Sequence, residues 1–128
     1  MIKFVKFLKV IFHLINFILI VLYLYPGSIF GYIFYNDFTK QPQITEDFLN
    51  ISTNHFYAFI FLSIIGFLAY LNDKRLQFLI KYLFVLSIML ELIHLIIPAR
   101  MFQLSDLFGN VFGVLLVYVL YNIKKKYE

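Results

Sequence analysis

Polar and charged residues along this chain gather into short clusters, and four long apolar stretches run between them. Val10 to Tyr25 is uncharged and, with the preceding turn, reaches the roughly 20 residues of a helix that crosses a bilayer. A second uncharged stretch runs from about Asn54 to Leu71. The third, Leu76 to Ile97, is interrupted only by Lys81, Glu91 and His94 among ionisable residues, and the fourth runs from Leu107 to Ile123. The pattern predicts an all-α membrane protein of one domain, with spans over approximately residues 5–25, 54–71, 76–97 and 106–123. A signal peptide competes for the first stretch, because Lys3, Lys6 and Lys9 make a basic start. The apolar run is long and no small-residue cleavage site follows, so it is read as a retained span.

Composition strengthens this reading. Of 128 residues, 62% are apolar and 14% charged, against roughly 45–50% and 25% in soluble domains. Lipid is therefore the expected solvent and the bilayer the first expected partner. The absence of cysteine excludes disulfides, thiolate metal ligands and cysteine nucleophiles. A net charge of +4 invites a nucleic-acid reading, but the basic residues flank apolar spans and form no stripe or motif. No nucleic-acid partner is expected. Placing both termini and the Asn72 to Arg75 turn in the cytoplasm leaves only Lys40 and Arg100 of the eleven basic residues outside. The expected arrangement is thus a multi-pass protein of the cell membrane, N-in and C-in.

The external segment, about Pro26 to Thr53, is long and carries an apolar patch, Ile29 to Tyr35. Its aromatic residues suit an interfacial segment, and a continuation of the first span past Pro26 is the equal alternative.

Ionisable residues at membrane depth are costly and face protein, water or each other. Lys9, His13 and Asn16 share one face of the first span, where Lys9 is expected to snorkel and the other two to bond between helices. The outer group draws on three spans. Glu91, seven residues before Pro98, is expected about 10 Å inside the end of the third span, with His94 one turn further out and Ser87 one turn further in. Asp106 and Asn110 share a face of the fourth span, extended by Gly113; His55 opens the second span, and Arg100 lies in the loop after the third. Ser105 or Asp106 is expected to cap the fourth helix. Glu91 has no such role and must be protonated, paired with Arg100 or a histidine, or wetted by a cavity. His55, Glu91, His94, Arg100, Asp106 and Asn110 are accordingly the expected binding residues of one outward-facing pocket, with Arg100 bridging Glu91 and Asp106.

Other chemistry finds less support. Glu91-x-x-His94 has the spacing of bundle di-metal sites, but those need two such motifs and this chain has one, so no metal and no cofactor is expected. Ser52 and Ser87 lack an evident base, and there is no phosphate-binding loop or dinucleotide motif.

Glu91, His94, Pro98, Arg100, Asp106, Asn110 and Gly113 resemble the C-terminal signature of the VanZ-like membrane proteins, approximately E-x-x-Q, P-G-R and D-x-x-x-N-x-x-G. His55, Phe56 and Phe59 resemble the second motif of that family, H-F-x-x-F at a helix start. Together the two motifs cover roughly the last two-thirds of the chain. Three departures stand out. Ile51 and Ser52 replace a charged Asp-Lys pair, His94 replaces the glutamine, and Ala99 replaces the glycine before the arginine. An alanine there argues against a positive φ. The resemblance implies a small bacterial envelope protein, in a family named after a teicoplanin-resistance protein, and hence a link to glycopeptide antibiotic resistance.

Three functions follow from these residues. The first is a pocket for the head group of a lipid or cell-wall precursor, with Arg100 taking phosphate or carboxylate. The second is an intramembrane enzyme in which Glu91 or His94 is the general base. The third is a small proton-coupled exporter, but such exporters carry a glutamate in the first span and this chain has none there.

Overall fold

The computed structural model describes residues 2–127, the side chain of Ile2 excepted. It contains five helices: α1 (Ile2–Leu24), α2 (Ile29–Tyr35), α3 (Thr53–Tyr70), α4 (Leu76–Ile93) and α5 (Leu104–Tyr127). All but α2 are long and apolar enough to cross a membrane, so this is an all-helical, four-span membrane protein. Among the described residues no strand forms, only an isolated bridge between Phe48 and Ile51.

α3 is the centre of the bundle. It packs most extensively on α5 and also against α1 and α4, while α4 lies against α5. Phe59, Leu62, Leu83 and Val114 fill the fully buried core between these helices. Large apolar side chains also point outward all along the spans, including Phe7, Phe17, Phe61, Phe78 and Val85. Water would not tolerate so continuous an apolar surface, and lipid does.

The end of the bundle that carries both described termini is basic. Lys9 on α1 pairs with Asp73 in the α3–α4 turn, where Arg75 also holds Asp73 through its backbone and guanidinium. Arg75 and Lys9 hold the Asp73 carboxyl well below the usual carboxylate range. Just inside this end, His13 meets the Tyr70 hydroxyl at 2.9 Å and the Asn16 amide donates to the Tyr82 hydroxyl at 2.6 Å. These are the expected bonds between helices, and the Lys9 ammonium reaches the bundle end as expected.

The other end is closed by the segment between α1 and α3. α1 stops at Leu24, and Gly27 turns the chain at φ 116°, a conformation that other residues avoid. α2 is therefore a separate helix rather than a continuation of α1. Ser28 caps it, accepting from the Gly31 amide at 2.9 Å. A Cβ on Gly31 would lie 1.8 Å from the Lys40 carbonyl, so a glycine is what lets residues 37–40 fold back over the helix. Asn54 then fastens the segment, accepting from the Ile44 amide and donating to the Pro42 carbonyl at 2.7 Å. Asp47 accepts from the Thr53 amide at 3.1 Å, serving the start of α3 where the Ser52 side chain makes no capping bond.

Two helix ends differ from the sequence reading. α4 stops at Ile93, four residues before Ile97, because the following amides of His94, Leu95 and Ile96 bond three residues back and tighten the last turn. α5 begins at Leu104, so Ser105 and Asp106 lie inside its first turn rather than at the cap. The negative charge of Asp106 still sits where the helix dipole favours it.

Candidate functional site

Two glycines set the geometry of the site. Gly109 and Gly113 lie one turn apart on α5, and a Cβ on either would stand 2.5 Å from the Ser52 carbonyl or 2.7 Å from the Phe56 carbonyl of α3. Their small size lets the two backbones touch, as in small-xxx-small helix pairs. A bond of 3.0 Å from the Ser52 amide to the Ser105 carbonyl ties the tops together. Asp106 and Asn110, on the same α5 face, are thereby held against His55 of α3.

The hub of the resulting network is Tyr23, near the end of α1. Its hydroxyl donates to Asn110 Oδ1 at 2.7 Å and lies 3.1 Å from His55 Nδ1, which is also 3.1 Å from Asn110 Oδ1. Asn110 Nδ2 donates to the Ser87 carbonyl of α4 at 3.1 Å, so four helices meet in this one amide and its partners. The other face of His55 presents Nε2 to Asp106 Oδ2 at 3.5 Å. His94 bonds through Nε2 to the Tyr23 carbonyl at 2.9 Å and turns Nδ1 toward Glu91 Oε2 at 3.2 Å.

The loop after α4 completes the site in a way the linear spacing does not show. Glu91 sits in the last turn of α4 rather than 10 Å inside it, yet it is 0% exposed, because the loop folds over it and the Gln103 amide donates to Oε1 at 2.8 Å. Arg100 does not bridge Glu91 and Asp106. Its Nε and Nη2 donate to the Tyr25 and Leu22 carbonyls at 3.0 and 2.9 Å, satisfying acceptors that the end of α1 leaves open.

Ala99 adopts φ 60°, against the sequence expectation. The turn after Pro98 needs this conformation to bring Arg100 back to α1, and alanine bears the strain that a glycine would not. Ala99→Gly should therefore raise stability by about 0.5–1 kcal/mol, the relieved strain exceeding the entropy that glycine costs. A thermal melt in detergent would show it as a higher midpoint.

Two adjoining cavities open around these residues. The larger, about 490 Å³, is walled mainly by apolar side chains from the end of α1, from α2 and from Tyr57 and Ala58 of α3. The smaller, about 350 Å³, is polar and bounded by Thr39, Asp47, Ser52, Gln103 and Asp106. Gln41, Gln43, Asn54, His55, His94 and Arg100 border both. The loop that closes this end of the bundle thus roofs both chambers.

The six residues singled out from sequence do gather at this end, with different tasks. His55, His94 and Arg100 border both chambers and Asp106 the polar one. Glu91 and Asn110 are fully buried behind them and line neither. α1 takes part as well, so the site lies among four spans rather than three. Tyr23, Gln103 and Gly109 escape the sequence reading. A tyrosine near a span end reads as part of an aromatic belt facing the interface, and Gln103 acts through its backbone, which no side-chain pattern reveals. The Gly109-x-x-x-Gly113 spacing was the available signal for α5. Compared with known proteins, the chain matches no family model, no curated protein and no solved structure.

Proposed function

We propose that this chain is a VanZ-like protein of the cell envelope that binds a lipid or lipid-linked cell-wall precursor, with its head group in the polar chamber and its chain in the apolar one. The supporting observation is the shared wall. A polar cavity and an apolar cavity meet at His55, His94 and Arg100, which suits an amphiphile better than a wholly polar or wholly apolar ligand. Arg100 has five N–H donors and commits Nε and Nη2 to α1 carbonyls, which leaves donors for an anionic oxygen of the head group. In this reading the site faces outward in the cell membrane, since nine of the eleven basic residues lie toward the opposite end. A link to glycopeptide resistance would then follow from capture of an envelope precursor.

Neither alternative gains a specific observation. Glu91 lines no chamber, so it is badly placed as a general base; His94 borders both, but its Nε2 is bound to the Tyr23 carbonyl and its Nδ1 is turned to Glu91; and α1 carries no carboxylate for proton-coupled export.

Retention of a phosphorylated single-chain lipid by the purified protein tests the proposal. Arg100→Ala should weaken binding at least about tenfold, since a charge-assisted hydrogen bond contributes about 1.5–3 kcal/mol. Equal binding by the variant would remove the assigned role of Arg100. Orientation is checked by alkaline phosphatase fusions, expected to be silent after Glu128 and active near Gln43. The reverse pattern would invert the arrangement.

A further inference from the structure

His55 has its hydrogen position fixed by its neighbours. Asn110 is oriented by the bond from its Nδ2 to the Ser87 carbonyl, so the atom it turns to His55 is the acceptor Oδ1. The single proton of the Tyr23 hydroxyl goes to that same oxygen. His55 Nδ1 therefore carries the proton of the neutral ring, and Nε2 presents a lone pair. That nitrogen faces Asp106 Oδ2 at 3.5 Å.

Glu91 adds a third electron-rich group from α4. One ligand atom each from His55, Glu91 and Asp106 lies within 4.8 Å of the other two. Glu91 is fully buried, and its Oε2 accepts no hydrogen bond. His94 Nδ1 stands 3.2 Å from that oxygen, and its Nε2 donates to the Tyr23 carbonyl. Two carboxylates brought this close at the inner end of a membrane pocket repel when both are ionised, and the low dielectric strengthens the effect. Arg100 does not relieve it through Nε or Nη2, which are turned to α1 carbonyls.

We propose that His55 Nε2, Glu91 and Asp106 form a site for one divalent transition-metal cation of the Zn²⁺ or Mn²⁺ type. One imidazole and two carboxylates match the ligand preferences of these ions, and their two negative charges balance a dication. The surroundings have the form of an outer shell. A metal-binding histidine donates its other N–H to a fixed acceptor, as His55 does to Asn110, and a ligating carboxylate is itself hydrogen-bonded, as Glu91 is by the Gln103 amide. His55 and Asp106 border the polar chamber, so open coordination positions would face it. The lone Glu-x-x-His motif pointed away from a metal because a second motif was missing. The cluster instead takes Glu91 without His94 and draws its other ligands from α3 and α5, a juxtaposition invisible in linear spacing. The site stands on these side chains alone and does not depend on which molecule fills the chambers.

The test uses the full-length protein purified in detergent, stripped with chelator and titrated with Zn²⁺ or Mn²⁺ alone, without lipid. One cation per chain should bind, and bound Mn²⁺ should show nitrogen coupling from one imidazole in pulsed electron paramagnetic resonance. His55→Ala and Asp106→Asn should each weaken binding by at least tenfold and remove or alter that coupling, whereas Asp73→Asn at the opposite end should change neither. No stoichiometric binding by the wild-type protein would overturn the proposal, as would binding without imidazole coupling. Because the wild-type result alone decides the first point, a variant that fails to fold does not rescue it.

Discussion

Gly113→Leu should force α3 and α5 apart and strongly destabilise the bundle. Even the first added carbon would lie 2.7 Å from the Phe56 carbonyl and 2.9 Å from Phe59 Cβ, and both belong to the helix backbone or its root rather than to a mobile side-chain tip. α3 and α5 must then separate, which breaks the packing around Phe59 and Val114, both fully buried. Overpacking of this kind costs about 1–3 kcal/mol and occasionally more; about 3 kcal/mol is expected here because neither backbone can yield locally. Gly109→Leu should behave alike, with its first carbon 2.5 Å from the Ser52 carbonyl. Gly66→Ala is the contrast. Its added carbon meets the ring edge of Phe12 and a Leu79 methyl, side-chain atoms that can shift, so a loss under about 1 kcal/mol is expected. Unfolding followed by circular dichroism in mixed detergent would rank the three, and a Gly113→Leu protein as stable as the parent would contradict the account of the α3–α5 contact.

Replacement of Glu91 should separate shape from charge. In Glu91→Gln the amide oxygen can still accept from the Gln103 amide, and the side chain keeps nearly the same shape beside His94. Stability should change little while cation binding is lost, since the charge is gone and Glu91 lines neither chamber. Glu91→Leu instead leaves the part-buried Gln103 amide and the buried Nδ1 of His94 without this carboxylate, so a loss of about 1–3 kcal/mol is expected. Unfolding midpoints together with cation binding distinguish the cases. A Gln variant that binds as well as the parent would remove any functional claim on this carboxylate.

The four spans were legible because each helix in lipid must satisfy its own backbone over a fixed length, which leaves an unmistakable run of apolar residues. The clustering of the outer polar residues was legible for a related reason: unpaired, they would be too costly, as His13 and Asn16 also show with their tyrosine partners. What spacing does not contain is the path of loops. The early stop of α4, the left-handed Ala99 and the carbonyls held by Arg100 all belong to one tight turn whose outcome depends on where α1 ends. The apolar chamber was equally hidden, because it is enclosed by α2 and by residues 41–44, a segment whose course is set by Gly27, Gly31 and Asn54 rather than by any hydrophobic period.

The central claim, that one amphiphile occupies both chambers, is tested most directly by electron cryomicroscopy of the protein extracted with its native lipids into nanodiscs. Continuous density should run from the polar cavity beside Asp106 and Arg100, past His55 and His94, into the apolar cavity beside Ala58 and Phe34, and Ala58→Phe should remove its apolar part. Empty chambers in the native extract, or density confined to the lysine-rich end, would contradict it.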